Sequence, residues 1–173
     1  MKSKWAAAAA ILALLAGCHA KTEWQTFSPA GGNFSVEMPG APADKSHTQN
    51  TANGAMTSHL FIYTAKDAAY AVSYVDRPAP KDGSDPEKWL DTVRDAEVAK
   101  SGGKLLAAAT LKLGNGAPGR EIQVTLTQGD GKHAMRDRLY LVDKRLYQVL
   151  VVVPQDQIDS DDTRKFLDSF RLQ

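Results

Sequence analysis

The sequence predicts an α+β fold: one mostly antiparallel central sheet of about seven to eight strands, flanked by helices. Three observations lead there. Most of the chain beyond residue 24 alternates apolar and polar residues at period two, in segments bounded by Gly, Pro, Asn and Asp. Successive segments are joined by short, hairpin-like links, which make neighbours antiparallel. Only two stretches carry helical spacing, so there is no repeated βαβ unit.

The elements follow in order. Asn33-Phe34-Ser35-Val36-Glu37-Met38 alternates cleanly and stops at Pro39-Gly40, a strand ended by a turn. Residues 40–45 form a Pro/Ala loop. Ser46 to Ala52 is polar and β-compatible, and Asn53-Gly54 is the two-residue signal for a hairpin. Met56 to Ala65 is a long strand with apolar groups on both faces, and Tyr70 to Val75 is another of the same kind. The period then changes. Ser84-Asp85-Pro86-Glu87 offers a side-chain acceptor, a proline for the first turn and an acid for the positive helix end. Trp89, Val93, Ala96 and Lys100 follow one helix face, with Leu90 and Glu97 beside them, and Gly102-Gly103 supplies a left-handed stop.

Lys104 to Leu113 returns to strand, and Gly114 to Gly119 is a loop. Ile122, Val124 and Leu126 point inward while Glu121, Gln123 and Thr125 form a wet face. Gly129-Asp130-Gly131 turns this strand into His133 to Val142. Asp143-Lys144 makes a tight turn into Leu146 to Val153, whose nearly unbroken apolar second half reads as a central strand closed by Pro154. Finally, Ser160-Asp161-Asp162-Thr163 caps a short helix carrying Phe166, Leu167 and Phe170.

The first residues are of another kind. Met1-Lys2-Ser3-Lys4 is basic, Trp5 to Leu15 is an unbroken apolar run, and Ala16-Gly17 leads to Cys18. This is the secretory-signal pattern, and the run is well short of the roughly 20 apolar residues of a membrane span. Leu15-Ala16-Gly17-Cys18 resembles the lipobox of bacterial lipoproteins. The resemblance implies cleavage between Gly17 and Cys18, and a diacylglyceryl group on the Cys18 thiol. Small residues at 16 and 17 give a peptidase room, and Cys18 is the single cysteine of the chain, so it has no disulfide partner. Its fatty-acyl chains, palmitate among them, would hold the protein on a membrane. His19 is not the aspartate that keeps such proteins at the inner membrane in enterobacteria-like sorting. The expected place is therefore the cell envelope, at the outer membrane facing the periplasm rather than at the inner membrane. The expected division is residues 1–17 as signal peptide, 18–23 as lipidated N-terminus and tether, and 24–173 as one globular domain.

Composition narrows the partners. Losing residues 1–17 removes Lys2 and Lys4 and leaves 19 Lys and Arg against 20 acids, a net charge of −1. That gives no basic surplus for nucleic acid and no polybasic membrane patch.

One further pattern is familiar. Trp24-x-x-Phe27, then Gly32-Asn33-Phe34-Ser35-Val36-Glu37-Met38-Pro39-Gly40-x-Pro42, together with Arg145-x-Tyr147 and Phe166-Leu167-Asp168-Ser169-Phe170-Arg171-Leu172, resembles small bacterial proteins of the PsbP superfamily. The resemblance runs from about Trp24 to Leu172. It implies an antiparallel sheet between helices, an α/β/α sandwich, and it implies no enzymatic activity. Its motifs are structural, and a fold does not fix a function.

No Gly-x-Ser-x-Gly elbow is present, and His59 and His133 (with Asp137 four residues on) have no local nucleophile pattern. There is no Cys pair, His-x-x-x-His or calcium loop. His47 and His59 flank the hairpin turn and form the pair to inspect for a transition metal, but two imidazoles need further ligands, so no metal or other cofactor is expected. Asp159, Asp161 and Asp162 are accounted for by helix capping and the macrodipole. The glycine-rich 114–119 and 128–132 segments are turns, since neither opens a helix. Arg136 and Arg138 share a strand face with Tyr140, either as a basic recognition strip for a partner's carboxylates or, favoured here, as a solvated face with cross-strand ion pairs. Phe61, Tyr63, Tyr70 and Tyr74 read as core. The expected function is that of a non-catalytic envelope lipoprotein, anchored through Cys18, that binds another envelope protein. A small-ligand or metal-binding lipoprotein is the alternative, and a hydrolase comes third.

Overall fold

The computed structural model describes residues 23–51, 54–76, 85–126 and 133–173. Eleven strands are found there: β1 (Gln25–Phe27), β2 (Phe34–Met38), β3 (Ala43–Asp44), β4 (His47–Thr51), β5 (Gly54–Thr64), β6 (Ala69–Asp76), β7 (Lys104–Lys112), β8 (Pro118–Thr125), β9 (His133–Val142), β10 (Arg145–Pro154) and β11 (Arg171–Leu172). Helix α1 spans Pro86–Ser101, α2 spans Asp161–Asp168, and a single 3-10 turn covers Gln155–Gln157.

Eight strands make the main sheet, in the order β3-β5-β6-β10-β9-β8-β7, with β4 also paired to β5. Every recorded pairing is antiparallel. Two meanders are thus stitched together: β5-β6 from one side, β7-β8-β9-β10 from the other, joined by the α1 crossover and closed by β6 against β10. The Asp143-Lys144 turn forms as expected, with Asp143 at φ 52. The first hairpin is shifted by one residue: Thr51 pairs with Gly54, so the connection is at 52–53 rather than at Asn53-Gly54, and those two residues lie outside the described ones. The expected Gly129-Asp130-Gly131 turn also lies outside them.

The period-two pattern sorts residues to two different outer layers. On one face, α1 lays Leu90 against Leu139 and Leu141, while Val98 covers Ile122, Val124 and Met135. The helix starts as the sequence indicates: Asp85 caps it by accepting from the Glu87 amide, and Pro86 is in the first turn. It ends at Gly102, whose φ of 62 suits glycine. The next residue, Gly103, lies so close to β8 that an added Cβ would come within 2.1 Å of the Thr125 carbonyl. The sheet-facing side of the helix runs through the buried Leu90 and the half-buried Val93 and Val98, whereas Ala96 and Lys100 are exposed. The expected stripe was therefore rotated from the true one.

The opposite face is covered by a mixed layer, α2 and a small sheet ordered β1-β2-β11. Two of its strands, together with β3, are not visible in the sequence: β1, β3 and β11 are only two or three residues long, and β3 lies within the expected 40–45 loop. Ser160 caps α2 by accepting from the Thr163 amide. Phe170 lies beyond the helix end at Asp168 but is still buried, stacked between Phe34 at 5.5 Å and Tyr140 at 5.6 Å. This aromatic centre also takes Tyr74 and Tyr147, both near 6 Å from Phe34. Of the aromatics expected in the core, Phe61, Tyr70 and Tyr74 are buried and Tyr63 is half-buried.

Leu90 is 0% exposed at the α1–sheet contact. Leu90→Ala should lower the unfolding free energy by about 2–5 kcal/mol, measured from the urea midpoint at unchanged slope.

Candidate functional site

Among the described residues, strand β7 is paired with β8 on one side and with no strand on the other. Its seven residues from Lys104 to Thr110 are all exposed, because neither α1 nor the small sheet reaches over it. Leu105 and Leu106 are 42% and 51% exposed, the large exposed hydrophobics among the described residues. The ladder shifts register between Leu105 and Ala107, so Leu106 is the extra residue of a bulge. Lysines stand at both ends, Lys104 and Lys112. The sheet's other margin is unlike this: there β3 and β4 share the side of β5, broken at Lys45-Ser46 and built of polar residues.

A cleft of about 460 Å³ opens broadly between the β9–β10 turn, the end of β11 and Asn33. Its principal charged group is spent on structure. Arg145 donates from Nε and Nη2 to the two oxygens of Asp76, at 2.5 and 2.8 Å, and from Nη1 to the Gly31 carbonyl at 2.7 Å. Its guanidinium also lies 4.6 Å from the Tyr74 ring centre. This pairing holds the Asp76 carboxyl below the usual range. A second cleft, about 360 Å³, lies beside it around Leu113, Phe170 and Arg171.

The histidines expected to flank one turn do not converge. His47 pairs with Ser58, so His59, one residue along, points to the opposite face. A two-residue hairpin always divides these positions in this way, which the spacing argument overlooked. No cluster of three or more metal-ligating side chains occurs among the described residues. His59 instead stacks on Tyr74 at 4.4 Å, and Ser46 Oγ lies 3.4 Å from its Nδ1. A serine–histidine contact is a fragment of nucleophilic machinery, but no carboxylate ion pair to this ring is found among the described residues, and the contact sits on an open strand margin rather than in either cleft. His133 begins β9.

Arg136 and Arg138 form the cross-strand ion pairs of the favoured reading, but on a largely covered face rather than a solvated one, their side chains being only 17% and 14% exposed. Both donate to Glu121, at 2.8 and 2.5 Å, and their other ends reach Asp159 and Asp168. Burial works against the charged Glu121 carboxylate, yet the two guanidiniums hold it below its ordinary value. The strand face expected to be wet is thus half-buried. Arg120 was not singled out in the sequence: only 5% exposed, it joins β8 to α1 through Asp91 and Glu87, both at 2.7 Å.

Asp137 faces the other way from its neighbouring arginines, as expected, and is fully buried under α1. Gln148 donates to its Oδ2 at 2.8 Å, while Oδ1 has no hydrogen-bond partner. Burial pushes the carboxyl up to about 7 against the pull of Gln148; Glu97 adds to the rise and Lys100 opposes it. Cys18 and Gly17 lie outside the described residues, and no helix among those described is long and apolar enough to cross a membrane.

No protein-family model matches the chain, and no curated protein matches its sequence. Among solved structures, that of cyanobacterial PsbP (CyanoP) from Synechocystis sp. PCC 6803 aligns at a TM-score of 0.55, covering 91% of this chain and 96% of that one. The fold is PsbP-like. At 14% identity the likeness concerns the fold, and no functional residue transfers with it. PA94 of Pseudomonas aeruginosa, a protein of unknown function, aligns at a TM-score of 0.42 and 10% identity over 81% of this chain and 89% of its own, too distant to carry an argument. What distinguishes this PsbP-like domain is therefore read from its own surface.

Asp137→Asn keeps the side-chain shape and removes the ionisation. The folded carboxyl titrates near 7 and the unfolded one near 3.9, so between these values the native state keeps a proton that the unfolded chain has lost. Wild-type stability should fall as pH rises through that window, and the variant should lose this slope. Above neutral pH the variant should be the more stable, by at most about 4 kcal/mol, read from urea midpoints across the pH series.

Proposed function

We propose that this chain is a lipid-anchored protein of the cell envelope whose PsbP-like domain is a non-catalytic module that binds another protein. The observation that supports binding is β7: a nine-residue sheet edge, open among the described residues, with two exposed leucines, in a domain whose cleft beside the β9–β10 turn is shallow and has its arginine already ion-paired. A ligand-binding protein would be expected to offer a deep pocket with convergent, uncommitted polar groups. The anchoring half of the reading rests on Leu15-Ala16-Gly17-Cys18, which resembles a lipobox, with His19 favouring the outer membrane facing the periplasm. The alternative, a small ligand or metal held by a periplasmic lipoprotein, would replace this reading if the purified protein kept a bound small molecule and made no protein contact.

Cys18→Ser should accumulate as an uncleaved or soluble form in fractionated cells. A variant that still matured and took up labelled palmitate would refute the anchor. For binding, a photo-crosslinking amino acid at Leu106 should yield a discrete adduct with one envelope protein in intact cells, and the same probe at Thr48 on the opposite margin should not. Equal adduct patterns from both positions would reject β7 as the binding surface.

A further inference from the structure

Resting on that reading, we infer that the partner of β7 is an extended, acid-bearing segment of another protein that adds antiparallel to the edge as a further strand. An open edge presents a row of unpaired amides and carbonyls, the template for strand addition. The features of β7 that would ordinarily blunt such an edge also select who can join it. Lys104 and Lys112 end a nine-residue strand centred on Ala108. A second copy laid antiparallel along this edge would bring the Lys104 end of each strand beside Lys112 of the other, and like charges close together across a ladder are unfavourable. The same two positions become attractive when the incoming strand carries Asp or Glu at both ends. The bulge at Leu106 bends the first part of the strand, leaving Ala107 to Lys112 as the regular stretch for pairing.

The side chains between the lysines fit a guest of modest size. Ala107, Ala108 and Ala109 are short and exposed, so an added strand meets little steric resistance on either face. Leu105 and Leu106 offer apolar cover near one end. The neighbouring acid, Glu121, does not compete for the guest, being held by Arg136 and Arg138. Exclusion of the protein's own copies and attraction of an acidic strand thus come from the same residues.

The test uses the full chain and two fluorescent nine-residue peptides of alternating Thr and Val, one with Asp at each end and one with Lys at each end. The Asp-ended peptide should bind about tenfold more tightly by anisotropy, an advantage that shrinks with salt. Its binding should slow hydrogen exchange within residues 104–112. The double variant Lys104→Glu/Lys112→Glu should invert the order of the two peptides. Equal affinities, protection elsewhere in the chain, or an order the double variant leaves unchanged would overturn the inference, as would dimers of the chain joined through β7. If Leu106 still crosslinked to an envelope protein in any of these cases, the binding reading would stand and only the partner's chemistry would fall. Loss of both peptide binding and crosslinking would remove both.

Discussion

The pairing of β6 with β10 is the constraint on which the rest of the molecule depends. Its register, Ala69 to Asp76 against Val152 to Arg145, joins strands some 70 residues apart in sequence, while most other main-sheet ladders join neighbours. Closing so long a loop costs chain entropy before any contact repays it. The return is concentrated there. Val72 meets Val149, both fully buried, and Tyr74 meets Tyr147 under Phe34. At the end of the seam, Arg145 grips Asp76 and reaches the carbonyls of Gly31 and Gly32, which lead into β2. The same pairing therefore makes one sheet from two meanders and sets where the small sheet begins.

The outer layers are attached through strands β8 and β9 by arginines that point in opposite directions. Arg120 on β8 turns to α1 and meets Glu87 and Asp91. Arg136 and Arg138 on β9 turn the other way, to Asp159 before α2 and Asp168 at its end. The carboxylates are partly exposed, so each pair adds little stability by itself. Their effect is one of position: a guanidinium fork accepts few orientations of its partner, which fixes how each helix sits on the sheet.

Much of this was legible in the sequence because it depends on local rules. The caps at Asp85 and Ser160, the left-handed stop at Gly102 and the αL turn at Asp143 all follow from residue chemistry within a few positions. The apolar run of β10 announced a central strand. The short strands β1, β3 and β11 could not be seen, since two or three residues carry no period, and they exist only because β2 and β5 offer them an edge. Asp137 was in phase with Met135, Leu139 and Leu141, so its burial was implied by alternation. Arg120 carried the same signal, in phase with Ile122 and Val124, but as a charged residue beside a glycine-rich loop it needed the α1 carboxylates Glu87 and Asp91 to be buried. The exposure of β7 ran against its sequence: Leu-Leu-Ala-Ala-Ala reads as interior, and only the reach of the covering layers decides otherwise.

Strand β2 has a mechanical role that follows from its two neighbours. It is flanked by β1 through Gln25, Thr26 and Phe27 and by β11 through Arg171 and Leu172, so both ends of the described domain are fastened to the same five residues. Beside this joint, Trp24 packs edge-on to Tyr70 at 6.0 Å and lies beneath the Lys165 ammonium at 4.6 Å. A pull applied ahead of Trp24 is borne first by three backbone pairs and by the ring contacts of Trp24 with Tyr70 and of Phe27 with Phe34 and Phe61. The three-residue β1 is therefore the first strand that tension from that side would strip from β2.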